Sequence, residues 1–168
     1  MRVGLPKEIK PNEHRVGLTP TAVREYVAHG HDVLVETGAG IGAGYADEDF
    51  TRAGAGIAPD ADAVFAGAEL IVKVKEPIAG DLQHLRKDHL LFCYLHLAAE
   101  PKLTRELLDI GLTGVAFETV ELPNGDLPLL APIGAAGVLV LTVVYSDQTF
   151  AGIQEANRVR QLIGPNLQ

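Results

Sequence analysis

Apolar and polar positions fall in blocks along most of this chain, and the block lengths predict alternating strands and helices. Residues 2–5, 32–36, 70–74, 90–95 and 112–117 are short runs rich in Val, Leu and Ile, bounded by turn residues. Runs of this kind read as buried strands of a parallel sheet. Between them lie segments of helical spacing. Thr19-Pro20 opens one, with Thr as N-cap and Pro in the first turn, and Gly30 closes it. Residues 101–110 place Leu103, Leu107 and Ile110 on one face, with Gly111 as the stop. Shorter helices are expected at 45–53, at 60–67 capped by Asp60, and near 81–86, with a minor strand at 55–58. Strand, helix, strand with short connections is a βαβ unit. The fold class expected is α/β: a Rossmann-like or flavodoxin-like, mostly parallel sheet with flanking helices.

The pattern changes after residue 118. Asn124-Gly125 between alternating segments is a strong hairpin signal. Residues 127–146 carry no charge, but include two prolines and two glycines and lack positive flanks. A buried segment or an interface is favoured there over a membrane span. Within that stretch, the β-branched run 138–145 reads as a strand. A C-terminal amphipathic helix is expected over 148–163. Two regions follow: residues 1–132 as an α/β domain, and 133–168 as an apolar segment and helix that complete it or form an interface.

Strand ends bring in the chemistry. In open parallel sheets, ligands bind beyond the carboxyl ends of the strands. The run 70–74 leads into Lys75, Glu76 and Pro77, and the run 90–95 leads into His96. Lys75 and His96 are therefore expected on one edge, side by side if the two strands are neighbours. Lys75 at a strand end suits catalysis or anion binding. Lys73, inside an apolar strand, must pair with an acid or snorkel. His96 reads either as a hydrogen-bonded core histidine or as an acid/base, imidazole being the side chain that changes charge nearest neutrality. Arg15 reads as a surface arginine or as a fork for a carboxylate. His14, His29, His31, His84 and His89 sit in polar surroundings and read as surface residues.

Residues 38–43, G-A-G-I-G-A, fit a dinucleotide fingerprint and follow a strand, with Asp60 and Asp62 about twenty residues on. The helix after them is short and polar, whereas the fingerprint needs close packing on the sheet. A plain turn is preferred, and no cofactor is expected on this loop. Metal spacings of the C-x-x-C or H-x-x-x-H type are absent from the sequence, and no metal site is expected.

Composition narrows the classes. The chain has 168 residues, 47% hydrophobic, with a net charge of −8 and no basic block, which argues against nucleic acid. One cysteine, Cys93, permits no internal disulfide and fits a reducing cytosol. Met1 leads directly into a strand-like R-V-G-L-P, so no signal peptide is expected. A cytoplasmic location follows from these readings.

Together, M-R-V-G-L-P-K-E-I-K-x-x-E-x-R-V, T-G-A-G, V-K-V-K-E-P, Y-L-H-L-A-A, F-E-T-V and L-P-L-L-A-P resemble the N-terminal part of bacterial alanine dehydrogenase. The transhydrogenase alpha subunit resembles the chain more loosely. The resemblance runs in order from Met1 to Pro132. It implies a substrate-binding domain of an NAD-dependent enzyme that interconverts L-alanine with pyruvate and ammonia. By matching motifs, Arg15 and Lys75 would hold the substrate carboxylate and carbonyl, and His96 would be the general acid/base. After Pro132 the sequence departs from the family pattern. The resemblance then implies a truncated or internally deleted relative without its NAD domain, nearly inactive alone. No NAD is expected on this chain, although the full-length family uses it. Two alternatives stay open. One is a non-enzymatic module for 2-oxo-acid binding or oligomerisation, and the other is one chain of a split transhydrogenase-like enzyme. The apolar run at 138–145 predicts a homo-oligomer.

Overall fold

The computed structural model describes residues 1–127, 129 and 130. The strand expected at 138–145, the helix at 148–163 and the whole of 133–168 lie outside the described residues. Among the described residues, six strands form one parallel sheet. They are β1 (Arg2–Leu5), β2 (Asp32–Glu36), β3 (Gly56–Ala58), β4 (Leu70–Val72), β5 (Leu90–Cys93) and β6 (Thr113–Ala116). The helices are α1 (Pro20–Ala28), α2 (Asp47–Arg52), α3 (Ala61–Gly67), α4 (Ala79–Leu82) and α5 (Pro101–Ile110).

The helix ends follow their capping chemistry. Thr19 Oγ1 accepts the Ala22 N–H at 3.2 Å, and Asp60 Oδ1 accepts the Ala63 N–H at 2.9 Å. Gly30 and Gly111 take φ of +77° and +75° just past α1 and α5, a conformation that costs glycine little. The turn expected at Asn124-Gly125 is present, with Gly125 N–H bonded to the Leu122 carbonyl at 2.9 Å. No paired strands flank it among the described residues.

Strand order is β3-β2-β1-β4-β5-β6. The order reverses between β1 and β4, and in such sheets the crevice for ligands opens at the C-terminal edge of that switch point. Period-2 alternation splits the core between two faces. Val3, Leu5, Val33, Val35, Leu70 and Val72 pack with Val23 of α1 and Phe50 of α2. Ile71, Leu91 and Cys93 pack with Phe65 of α3 and with Leu103 and Leu107 of α5. A smaller cluster of Val74 and Phe117, with Phe92 and Tyr94 against it, lies at the C-terminal ends of β4 and β5.

A buried charge cluster ties the switch point together. Lys73 is 1% exposed, and its Nζ lies 3.3 Å from both Glu8 Oε2 and Asp81 Oδ1. The carboxylates are also bonded to backbone: Val74 N–H donates to Glu8 at 2.6 Å and Ile78 N–H to Asp81 at 3.0 Å. Of the two sequence options for Lys73, pairing with acids is the one realised.

One expectation is corrected. His89, read from sequence as a surface residue, is 1% exposed. Its polar neighbours in sequence misled, because its ring turns inward and both nitrogens are satisfied. Nδ1 lies 3.1 Å from the Arg86 N–H, and Nε2 lies 3.0 Å from the Phe65 carbonyl. With Nδ1 accepting, Nε2 carries the proton of a neutral imidazole. His31 and His84 are half-buried, the latter stacked on Phe65 with centroids 5.3 Å apart, while His14 and His29 are exposed.

Two stability predictions follow from these buried groups. Removing the lysine leaves two carboxylates facing each other, so Lys73→Met is expected to lower the unfolding free energy by about 3–5 kcal/mol. Burial, outweighing the opposing pull of Lys73, raises Glu8 above its ordinary 4.5. The folded state thus holds that proton more tightly than the unfolded chain, and the variant's deficit shrinks as the pH falls from neutral toward 4.5. Urea melts of parent and variant across that range check this, and a deficit that grows on acidification refutes it. For His89 the sign is opposite. Burial lowers it below 6.5 against the pull of the Phe65 carbonyl, so its contribution is complete above 6.5 and is lost as the pH falls below it. His89→Gln should flatten the acid side of the stability curve, and an unchanged slope would count against this assignment.

Candidate functional site

In an all-parallel sheet every strand delivers its following loop to the same edge. Arg15 lies in the loop after β1, Lys75 follows β4, and His96 follows β5. In space these strands run β1, β4, β5 as neighbours. The three sequence-predicted residues therefore share one edge, at and beside the switch point.

Tyr94 links two of them. The Lys75 ammonium lies 5.4 Å from the centre of its ring, and the His96 ring centre lies 5.5 Å away on the other contact. The ring is backed by Phe117 at 5.9 Å, which is itself buried. A cation over a tyrosine face is held by the ring quadrupole. Lys75 is half-buried and makes no ion pair among the described residues.

Arg15 is engaged by Glu13. Its Nε donates to Glu13 Oε1 at 2.7 Å, its Nη2 bonds Oε2, and its own N–H donates to Oε1 at 2.9 Å. Burial opposes charge on Glu13. The Arg15 hydrogen bonds, with the positive charges of Arg15 and Lys75, overcome this and hold the carboxyl below its usual value. The same bonds raise the guanidinium above its own. None of the hydrogen bonds among the described residues uses Nη1, at the outer end of the fork.

His96 is exposed and has φ of +52°. For a residue with a Cβ, the left-handed region costs about 1–2 kcal/mol. Its N–H and that of Leu95 both donate to the Glu118 carboxylate. Sequence reasoning did not assign Glu13, Tyr94 or Glu118 to the site. Glu118 follows β6, so the strand-end rule applied to Lys75 and His96 would have reached it.

The glycine loop does other work. Gly38 N–H and Thr37 Oγ1–H donate to the Asp47 carboxylate at 2.8 and 2.6 Å, and these bonds lower Asp47 below its ordinary value. A Cβ on Gly40 would lie 2.5 Å from the Phe50 ring, and one on Gly42 would lie 2.7 Å from the His14 carbonyl oxygen. These glycines let the loop close on α2 and on the backbone next to Arg15. An anionic pyrophosphate does not fit against Asp47, Glu48 and Asp49, so these residues do not suit NAD. The described residues contain no cluster of three or more His, Cys, Asp or Glu side chains that could hold a metal ion. They also contain no helix long and apolar enough to cross a membrane.

Similarity to known proteins runs over the same residues. An alanine dehydrogenase from Halomonas elongata is 53% identical over 133 residues, which is 79% of this chain and 36% of the relative. One from Mycobacterium tuberculosis (strain CDC 1551 / Oshkosh) is 51% identical over 144 residues, 85% of this chain and 39% of the relative. A solved structure of L-alanine dehydrogenase superposes with a TM-score of 0.77 at 54% identity, covering 79% of this chain and 37% of that one. A transhydrogenase from Sinorhizobium meliloti superposes with a TM-score of 0.66 at 30% identity, covering 70% and 35%. The chain thus spans well under half the length of these relatives. The family profile described as "Alanine dehydrogenase/PNT, N-terminal domain" matches residues 4–136. With most of its length inside that match, the chain belongs to the alanine dehydrogenase/PNT family and carries its N-terminal domain.

Proposed function

We propose that this domain binds a small 2-oxo acid or the matching amino acid, pyruvate and L-alanine, and is the substrate half of an NAD-dependent alanine dehydrogenase. The observation that carries the reading is Lys75. It is a half-buried cation without an ion-pair partner among the described residues, sharing the Tyr94 ring with an exposed imidazole. A monocarboxylate with an adjacent carbonyl complements that arrangement. Its carboxylate takes the outer end of the Arg15 fork, its carbonyl oxygen faces the Lys75 ammonium, and His96 gives or takes the proton at that oxygen. NAD, when bound in the full-length family, accepts or supplies the hydride. This domain's own part is binding, orientation and proton handling.

Pyruvate titrated into the chain and followed by NMR is expected to shift the His96 and Tyr94 ring signals saturably. Arg15→Ala and Lys75→Ala should each weaken binding by about tenfold to a hundredfold, the range for a charge-assisted hydrogen bond. NADH should give no saturable change at residues 38–44. Undiminished pyruvate affinity in both variants would remove the assignment.

Self-association through residues 138–163 belongs to the same reading, supported by the uncharged run V-L-V-L-T-V-V-Y. Light scattering at low micromolar concentration should report a mass above the 17.9 kDa of one chain, reduced by Val140→Lys. A single 17.9 kDa species indifferent to that change would rule the oligomer out.

A further inference from the structure

The end of β5 has a geometric problem that one side chain solves. The β5–β6 register stops at Cys93 and Ala116, so the next N–H groups have no strand to pair with on that side. Tyr94 N–H still reaches the Val74 carbonyl at 3.2 Å. Leu95 and His96 turn the other way. Leu95 N–H points to the two Glu118 oxygens at 3.1 and 3.3 Å, and His96 N–H donates to Oε1 at 2.8 Å. Successive N–H groups that converge on one anion form a backbone nest, and here the anion is internal. His96 closes the nest in the left-handed conformation, which a residue with a Cβ adopts rarely without support. Glu118 itself stands on a fixed base. It belongs to the 3₁₀ turn Phe117–Thr119, where Phe117 is buried and Thr119 Oγ1 donates to the Ala116 carbonyl at 2.8 Å.

We infer that Glu118 is a positioning residue for His96. Its carboxylate holds the left-handed turn that sets the imidazole beside the Tyr94 ring. It acts through the His96 backbone and need not touch substrate. The inference rests on the contact proposed above between His96 and the pyruvate carbonyl oxygen.

The test compares Glu118→Ala, Glu118→Gln, His96→Ala and the Glu118→Ala/His96→Ala double variant in the 168-residue chain. Pyruvate affinity and amide NMR spectra are the readouts. Glu118→Ala is expected to move the Leu95 and His96 amide signals and to weaken pyruvate binding by about tenfold. Glu118→Gln, which keeps an accepting oxygen, should lose less. In the His96→Ala background, Glu118→Ala should cost no further affinity, because the group it positions is gone. A general structural role would instead give additive losses, and additivity overturns the inference. So does a His96 amide that stays in place in Glu118→Ala. Should Glu118→Ala fail to fold, Glu118→Gln carries the same cycle with a smaller expected loss. If the parent chain does not bind pyruvate, the functional reading fails by itself. The amide and ring signals of His96 then decide whether Glu118 sets its conformation.

Discussion

Lys73 and the two carboxylates that enclose it are the constraint on which the candidate site depends. The ammonium is buried at the end of β4, Glu8 reaches it from the loop after β1, and Asp81 reaches it from α4. Two acids share one base, so neither carboxylate is neutralised by the lysine alone. The backbone N–H groups of Val74 and Ile78 supply the remaining bonds. A buried ion pair is weak evidence of net stability, because desolvation offsets much of the attraction. Its structural consequence here is clearer. It joins the two strands on either side of the switch point just where their loops diverge. The loop after β1 then runs on to Glu13 and Arg15, and the end of β4 runs on to Lys75.

Much of this was legible in the residues, for reasons that can be named. Caps and stops are local, so α1 and α5 start and end where Thr19-Pro20, Pro101, Gly30 and Gly111 place them. β4 and β5 close two residues earlier than their apolar runs suggest. Single bonds continue the pairing beyond them, Lys73 N–H to the Phe92 carbonyl at 3.0 Å and Tyr94 N–H to the Val74 carbonyl at 3.2 Å. An apolar run reports burial, and burial outlasts the regular ladder. Strand order was not legible, since nothing local to residues 2–5 says that β4 will lie beside them. His89 was misread because its neighbours Lys87 and Asp88 are exposed. Which way a ring turns in a short connection depends on the carbonyl it finds, here that of Phe65 on α3.

The glycine loop shows the same limit from the other side. Its spacing matched a phosphate-binding pattern, yet the pattern specifies only close backbone approach. What approaches is decided by neighbouring charge. Here an aspartate of the same chain takes the Gly38 N–H, and α2 begins with three acids. In the sequence, the short, polar helix that follows told against the phosphate-binding reading, and the acidic start of that helix is a second feature visible in the residues. Gly42 meanwhile lets this loop pack against the backbone at His14, so the glycines support the arginine loop.

Among the described residues, three cations at this edge are braced by acids, while Lys75 makes no ion pair. Lys73 is held by Glu8 and Asp81, Arg15 by Glu13, and Lys10 by Glu76. Each pair consumes its own field and fixes a loop. Lys75 stands on an aromatic face instead, and a ring offers a cation attraction without neutralising its charge. Its charge is also felt by Glu13, whose carboxyl it helps to hold below the usual value. Tyr94 thus gives the ammonium a contact that leaves its charge intact.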